Sequence, residues 1–176
     1  FREEYIDILK KFKRVVISFS IDATEDRFNY IRHHGDWNKV NDNIKKWLKH
    51  KSDKIYFDVA VTVTNLNIFY LDELVDWCLD MNLNPYFLDV SHPDFYTPSN
   101  LPQSAKNLIN KKFDIYLYKE NIPSNIADGL RGSLQNMNSS ELDDFIWKKF
   151  LLKNKILDDS RNQIFEDTFK ELNSVI

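Results

Sequence analysis

Three apolar, β-rich runs each end in residues able to bind or react. The first ends in Ser18, Ser20 and Asp22, the second in Thr62, Thr64, Asn65 and Asn67, and the third in Asp89, Ser91 and His92. If the runs are neighbouring parallel strands, their carboxyl ends lie side by side, where sites form in parallel α/β folds. Hydroxyls, amides and carboxylates converging from rigid strands suit the binding of a polar small molecule. A metal-dependent hydrolase would use Asp22, Asp89 and His92, but a metal needs several ligands converging in space. Spacing alone does not bring these three together, and no metal ligand is assigned. The plainer reading is that strands end in polar turn residues. His33 and His34 are adjacent, diverge on any regular element, and are not read as a ligand pair.

The elements that would position these groups follow from periodicity. Arg14–Ile21, Lys54–Thr64 and Pro85–Val90 read as strands. Trp37, Val40, Ile44, Trp47 and Leu48 recur at helical spacing, as do Leu71, Leu74, Val75, Cys78 and Leu79. Ala105, Leu108 and Ile109 suggest a short third helix, and Phe113–Leu117 a fourth strand. Strands alternating with helices predict βαβ units, a parallel sheet and right-handed crossovers. The apolar character of the strands predicts a sheet covered on both faces. Residues 1–123 form this α/β part, and residues 124–176 a helical extension packed on it. In the extension Ser139 or Ser140 can cap one helix, with Leu142, Phe145, Ile146 and Phe150 as its stripe. Asp158 or Asp159 can cap the last, whose stripe is Phe165, Phe169, Leu172 and Ile176. Gly129 and Gly132 weaken the helix between.

Hydrophobic residues make up 43% of the 176, enough for a packed core rather than a disordered chain. The net charge is −3 with both signs interspersed, which excludes the basic stripe of a nucleic-acid binder. The run Lys10-Lys11-Phe12-Lys13-Arg14 suits the negative end of a helix. The single cysteine, Cys78, permits no disulfide within the chain and no cysteine-rich metal site. A reducing, cytoplasmic setting is expected. No apolar run approaches the ~20 residues of a membrane span, and no signal peptide is read. The first residue is Phe1 rather than Met, which fits a gene start further upstream.

The stretch Ile17-Ser-Phe-Ser-Ile-Asp-Ala-Thr-Glu-Asp-Arg-Phe-Asn-Tyr-Ile-Arg32 resembles the radical S-adenosylmethionine (SAM) superfamily at the middle strand of its partial barrel. Tyr30-Ile-Arg32 followed by Trp37-x-x-Val40-x-x-Asn43-Ile44 is similar to the subgroup that carries a twitch domain. Val61-Thr-Val-Thr-Asn65 resembles that subgroup's next strand, and Leu71-x-x-Leu74-x-x-Trp77 the helix after it. Leu157-Asp-Asp-Ser-Arg161-Asn-Gln-Ile-Phe165 is similar to its closing element. The resemblance implies an α/β fold: half of a (βα)6 partial TIM-like barrel followed by C-terminal helices.

The family's Cys-x3-Cys-x2-Cys motif, which holds a [4Fe–4S] cluster, and its Gly-Gly-Glu-like element do not occur here. SAM and the cluster are therefore expected only in a full-length protein. This chain is expected to bind neither, and it carries no assigned catalytic residue. By resemblance Ser18, Ser20, Asp22, Arg32, Thr62, Thr64, Asn65 and His92 lie on the SAM or substrate side. Local readings stand beside these. Ser20 and Asp22 can cap the following turn, and Thr64 and Asn65 can do the same. Arg32 can pair with SAM's carboxylate or with a structural Asp, and His92 can be a surface residue. Asp158 and Arg161 are read as a cap and a salt bridge. The expected partner is the missing N-terminal half or a second copy of the chain. The alternative function is a stand-alone half-barrel binding or interaction module, self-associating and without catalysis.

Overall fold

The computed structural model describes residues 1–174. Three strands form one parallel sheet: β1 (Val15–Ser20), β2 (Ile55–Val63) and β3 (Asn84–Asp89), in the order β1-β2-β3. Val16 lies opposite Tyr56, and Ala60 opposite Tyr86. A short helix, α1 (Glu4–Leu9), precedes β1. The first crossover contains α2 (Glu25–Ile31) and α3 (Trp37–Leu48), the latter capped by Asp36, whose carboxylate accepts from the Lys39 amide. The second contains α4 (Leu71–Asp80).

Sequential strand order has a consequence for the faces. Right-handed crossovers between successive parallel neighbours place their helices on the same side of the sheet. Burial follows that rule. Ile55, Phe57, Val59, Val61 and Val63 of β2 are buried, while the alternate residues are exposed or half-buried. Expected cover on both faces is thus found on one. On the other, Val16, Tyr56, Tyr86 and Leu88 are exposed, and the Arg14 guanidinium sits 5.1 Å from the Tyr56 ring centre. The apolar runs misled because a face lined by Val, Tyr and Leu reads the same whether or not something covers it.

The chain then turns wholly helical with α5 (Gln103–Tyr116), α6 (Ser124–Met137), α7 (Asp144–Arg161) and the short α8 (Phe165–Thr168) and α9 (Lys170–Asn173). The expected fourth strand at Phe113–Leu117 is instead the end of α5 and its cap. Ala105, Ile109, Phe113 and Tyr116 continue one helical stripe, all buried, whereas Ile115 points to solvent. α6 runs beside β3 for its whole length. Asn125 donates to the Asn84 side chain at 2.7 Å near one end, and Asn136 to Asp89 at 2.6 Å at the other. Between them Gly129 lies so close to Phe87 that a Cβ would come within 2.7 Å of the ring. The glycine expected to weaken α6 is what permits this approach.

α7 is capped by Asp143, not by Ser139 or Ser140: its carboxylate accepts from the amides of Phe145 and Ile146. Ser139 bonds back to the Asn136 carbonyl, and the Ser140 carbonyl accepts from the buried Lys106 ammonium at 2.7 Å. The buried stripe of α7 is Trp147, Phe150 and Asn154, so Phe145 is exposed rather than packed. Asp158 and Asp159 fall inside α7, yet the Asp158 carboxylate accepts from the Phe165 amide and so caps α8 from a distance. Phe165, Phe169 and Leu172 are buried as expected; Ile176 lies outside the described residues.

One hydrophobic cluster joins the sheet to these helices, from Val59 and Val61 through Ile109 and Ile126 to Phe150 and Phe169. Phe150 is fully buried and meets the rings of Tyr96, Trp147 and Phe165. Among the described residues no helix is long and apolar enough to cross a membrane. Because the core is continuous, Phe150→Ala should lower stability by about 3–5 kcal/mol. Urea unfolding followed by far- and near-ultraviolet circular dichroism should show one coincident transition moved to lower urea. A change confined to the helical signal would show that the C-terminal helices unfold on their own.

Candidate functional site

The carboxyl ends of β1 and β2 are joined by a buried carboxylate. β1 ends at Ser20, and the Asp22 side chain takes over where the ladder stops. One carboxylate oxygen accepts from the Thr62 amide at 2.8 Å. The other accepts from Nε and Nη2 of Arg32, at 3.0 and 2.6 Å. Nη2 of Arg32 also donates to the Ser20 hydroxyl at 2.7 Å. Arg32 is the residue that ends α2, so this pair fixes the helix end to the strand end. Its Asp22 carboxylate is buried, while the Arg32 side chain is 39% exposed.

Asn67 completes the arrangement. Its amide nitrogen donates to the carbonyls of Asp22 and Thr62, both at 2.8 Å. Its oxygen accepts from the Thr64 amide at 2.7 Å and from the Thr64 hydroxyl at 3.2 Å. The Thr64 oxygen in turn accepts from the Leu66 amide. Asn65 turns the other way: its side chain donates to the Phe95 carbonyl and its amide to the Tyr96 carbonyl, both at 2.9 Å. These bonds hold the turn Asp94–Tyr96 over the end of β2. That turn is also tied to α7 by Asp94 and Lys149, 3.1 Å apart, and the hydrogen bond from Lys149 holds the Asp94 carboxyl below its usual range.

Five of the eight residues assigned to the SAM or substrate side therefore meet in one network, Ser20, Asp22, Arg32, Thr62 and Thr64, while Asn65 bonds to the neighbouring turn. Ser18 is exposed on the open sheet face, and its hydroxyl is without a partner among the described residues. His92 is exposed beyond β3 and makes no hydrogen bond to the network. Asn67 carries four of the bonds and was legible only as one more polar residue at a strand end. The signal was its place three residues after Thr64, the spacing at which a side chain closes a turn. The expected salt bridge between Asp158 and Arg161 does not form. Asp158 accepts instead from the Tyr30 hydroxyl at 2.7 Å and from the Phe165 amide.

Asp22, Asp89 and His92 do not gather: among the described residues no group of three or more His, Cys, Asp or Glu side chains could hold a metal. A [4Fe–4S] cluster needs several thiolates. Cys78 is the one cysteine, fully buried on α4, and burial pushes its thiol up to about 12. The residues present do not fit that cluster. Comparison with protein-family models, with curated proteins and with solved structures finds no match.

Two outcomes follow from the geometry. Asn67→Ala strands two carbonyls and an amide, and should cost about 2–3 kcal/mol, read as a lower urea midpoint at unchanged slope. A midpoint within error of the parent would mean that the loop closes without it. Cys78 should resist a thiol reagent at pH 8 in the folded protein and react fully in denaturant. Fast modification of folded protein would place the thiol in solvent.

Proposed function

We propose that this chain supplies the SAM- or substrate-side wall of a radical SAM enzyme's partial barrel, binding through its own residues while the cluster lies on a segment that this chain does not contain. The observation that carries the reading is the sheet itself. Three sequential parallel strands have helices on one face, and the open face bears Ser18, Ser20 and Thr62 toward the carboxyl ends. In a barrel of βα units the helices lie outside, and alternate strand residues line the interior. The sheet and the sequence resemblance support the same architecture, half of a (βα)6 barrel.

Within that wall the residues divide by what they have left to offer. Both Asp22 oxygens already accept from the chain, so Asp22 positions the site rather than touching a ligand. Ser20 accepts from Arg32 and keeps its O–H to donate. Among the described residues the hydroxyls of Ser18 and Thr62 are uncommitted. Three hydroxyls on one face suit the ribose or amino-acid part of SAM, or a polar substrate. Radical chemistry would come from the cluster-bearing segment; the chain alone is not catalytic.

One observation favours the second reading, a stand-alone interaction module. The same open face exposes Val16, Tyr56, Tyr86 and Leu88, apolar surface of the kind that partners cover.

Titration of SAM into the isotopically labelled chain, followed by amide chemical shifts, separates the two. The isolated chain is not expected to hold SAM as a stable cofactor, but a retained wall should give weak, saturable shifts at Ser18, Ser20 and Thr62 that Ser20→Ala weakens about three- to tenfold. Silence toward SAM at an intact fold, with light scattering showing self-association, would replace this reading with the interaction module.

A further inference from the structure

A cavity of about 290 Å³ lies between α2, the end of β2 and α7, apart from the open sheet face. That is close to the lower limit of small-molecule sites. Ile31, Leu66 and Leu157 give it apolar walls, and Thr64, Tyr96, Asn154 and Arg161 its polar groups. Two of these polar groups are unexplained by the fold.

The first is Asn154. It is 4% exposed, and among the described residues neither its amide nitrogen nor its oxygen has a hydrogen-bond partner. Buried side-chain amides are ordinarily paired, and leaving one unpaired costs stability. A leucine would fill the same position on the buried stripe of α7 without that cost. Asn154 also lines a second cavity, together with Lys155 and Glu166.

The second is Arg161. Arg161 is half-buried and lines the cavity, and its side chain makes no hydrogen bond or ion pair among the described residues. Asp158, the nearest candidate in sequence, has both oxygens committed to Tyr30 and Phe165. Arg161 lines the cavity together with Tyr30 and Tyr96; burial raises both phenols, and the Arg161 charge opposes both rises. The His33 imidazole is lowered by desolvation and also by the His34 and Arg161 charges.

We propose that this cavity binds a small monocarboxylate with an apolar body, the carboxylate held by Arg161 and Asn154 and the body against Ile31, Leu66 and Leu157. A guanidinium presents parallel N–H groups that match a planar carboxylate. A phosphate dianion would call for further cations, and Arg161 is the one cation lining the cavity among the described residues. A neutral ligand would leave the guanidinium unmet. A carboxylate seated there also gives the Asn154 amide the acceptor it lacks. The cavity and the open sheet face are separate sites, and either can hold its ligand if the other does not.

The test uses the whole chain and four probes: acetate, benzoate, 4-methylpentanoate and 4-methylpentanamide. Amide shifts should move saturably at Thr64, Leu66, Asn154 and Arg161 with 4-methylpentanoate, and its neutral amide should bind about tenfold or more weakly. Arg161→Gln should lose about tenfold in affinity, while Arg131→Gln, on the exposed side of α6, should lose none. Asn154→Leu should weaken binding while leaving the thermal midpoint unchanged or higher, a split that a purely structural asparagine would not give. The proposal falls if none of the three carboxylates gives saturable shifts at these residues. It falls equally if the amide binds as well as the acid, or if Arg161→Gln binds like the parent. Should Arg161→Gln fail to fold, the comparison of acid with amide in the natural chain decides.

Discussion

A carboxylate taken out of water must be met on every side, and Asp22 is the point where this chain meets that demand. Burying an unpaired charge costs far more than one hydrogen bond returns. Here the strand partner Thr62 satisfies one oxygen, and Arg32, the residue that caps α2, satisfies the other. Once these are set, much else follows. The ends of β1 and β2 are in register, the turn after β2 is closed by Asn67 on the Asp22 carbonyl, and the end of α2 is anchored. Tyr30 sits two residues before Arg32 and is thereby aimed at Asp158 on α7. Asp158 in turn caps α8. A single buried charge thus sets the line along which the C-terminal helices dock.

The polar residues of this end of the molecule fall into two sorts. Those at the strand ends are largely satisfied by one another, and satisfied groups in a dry setting stiffen a fold. Those around Asn154 and Arg161 are not, and they sit in the wall of a cavity rather than in a packed seam. Their residue types overlap, so type alone does not tell a brace from a binding group. The difference lies in how many donors and acceptors are already used.

Periodicity carried the reading of the strands and of α3 and α4, because one face of each is buried and the repeat survives in the sequence. It failed where the pattern was short or shared. Phe113, Ile115 and Leu117 alternate like a strand, yet Ala105, Ile109, Phe113 and Tyr116 form a longer helical stripe that outweighs them. On α7 the apolar residues Phe145, Ile146 and Leu151 surround the helix, so the stripe through Trp147 and Phe150 was hidden among them. The residues of the strand-end network were all visible as polar groups. That they bond to each other was not, since Asp22 and Thr62 are forty positions apart and meet only across the sheet. Asn154 gave no signal at all: within a helical stripe a buried asparagine looks like one that faces solvent.

The docking of α7 and α8 on α2 has a consequence for how the chain is made. The sheet and its crossovers are built from neighbours in sequence, so they can assemble as the chain emerges. The contacts that bury Tyr30 are of another kind. Its hydroxyl waits for Asp158, 128 positions later, and the Asn29 carbonyl for Gln163, 134 positions later. Until α7 has been made, α2 therefore presents an aromatic, half-built flank beside the growing sheet. Whatever shields a nascent chain has its task here until α7 and α8 have left the ribosome, and a message cut short before α7 would yield a sheet with that flank bare.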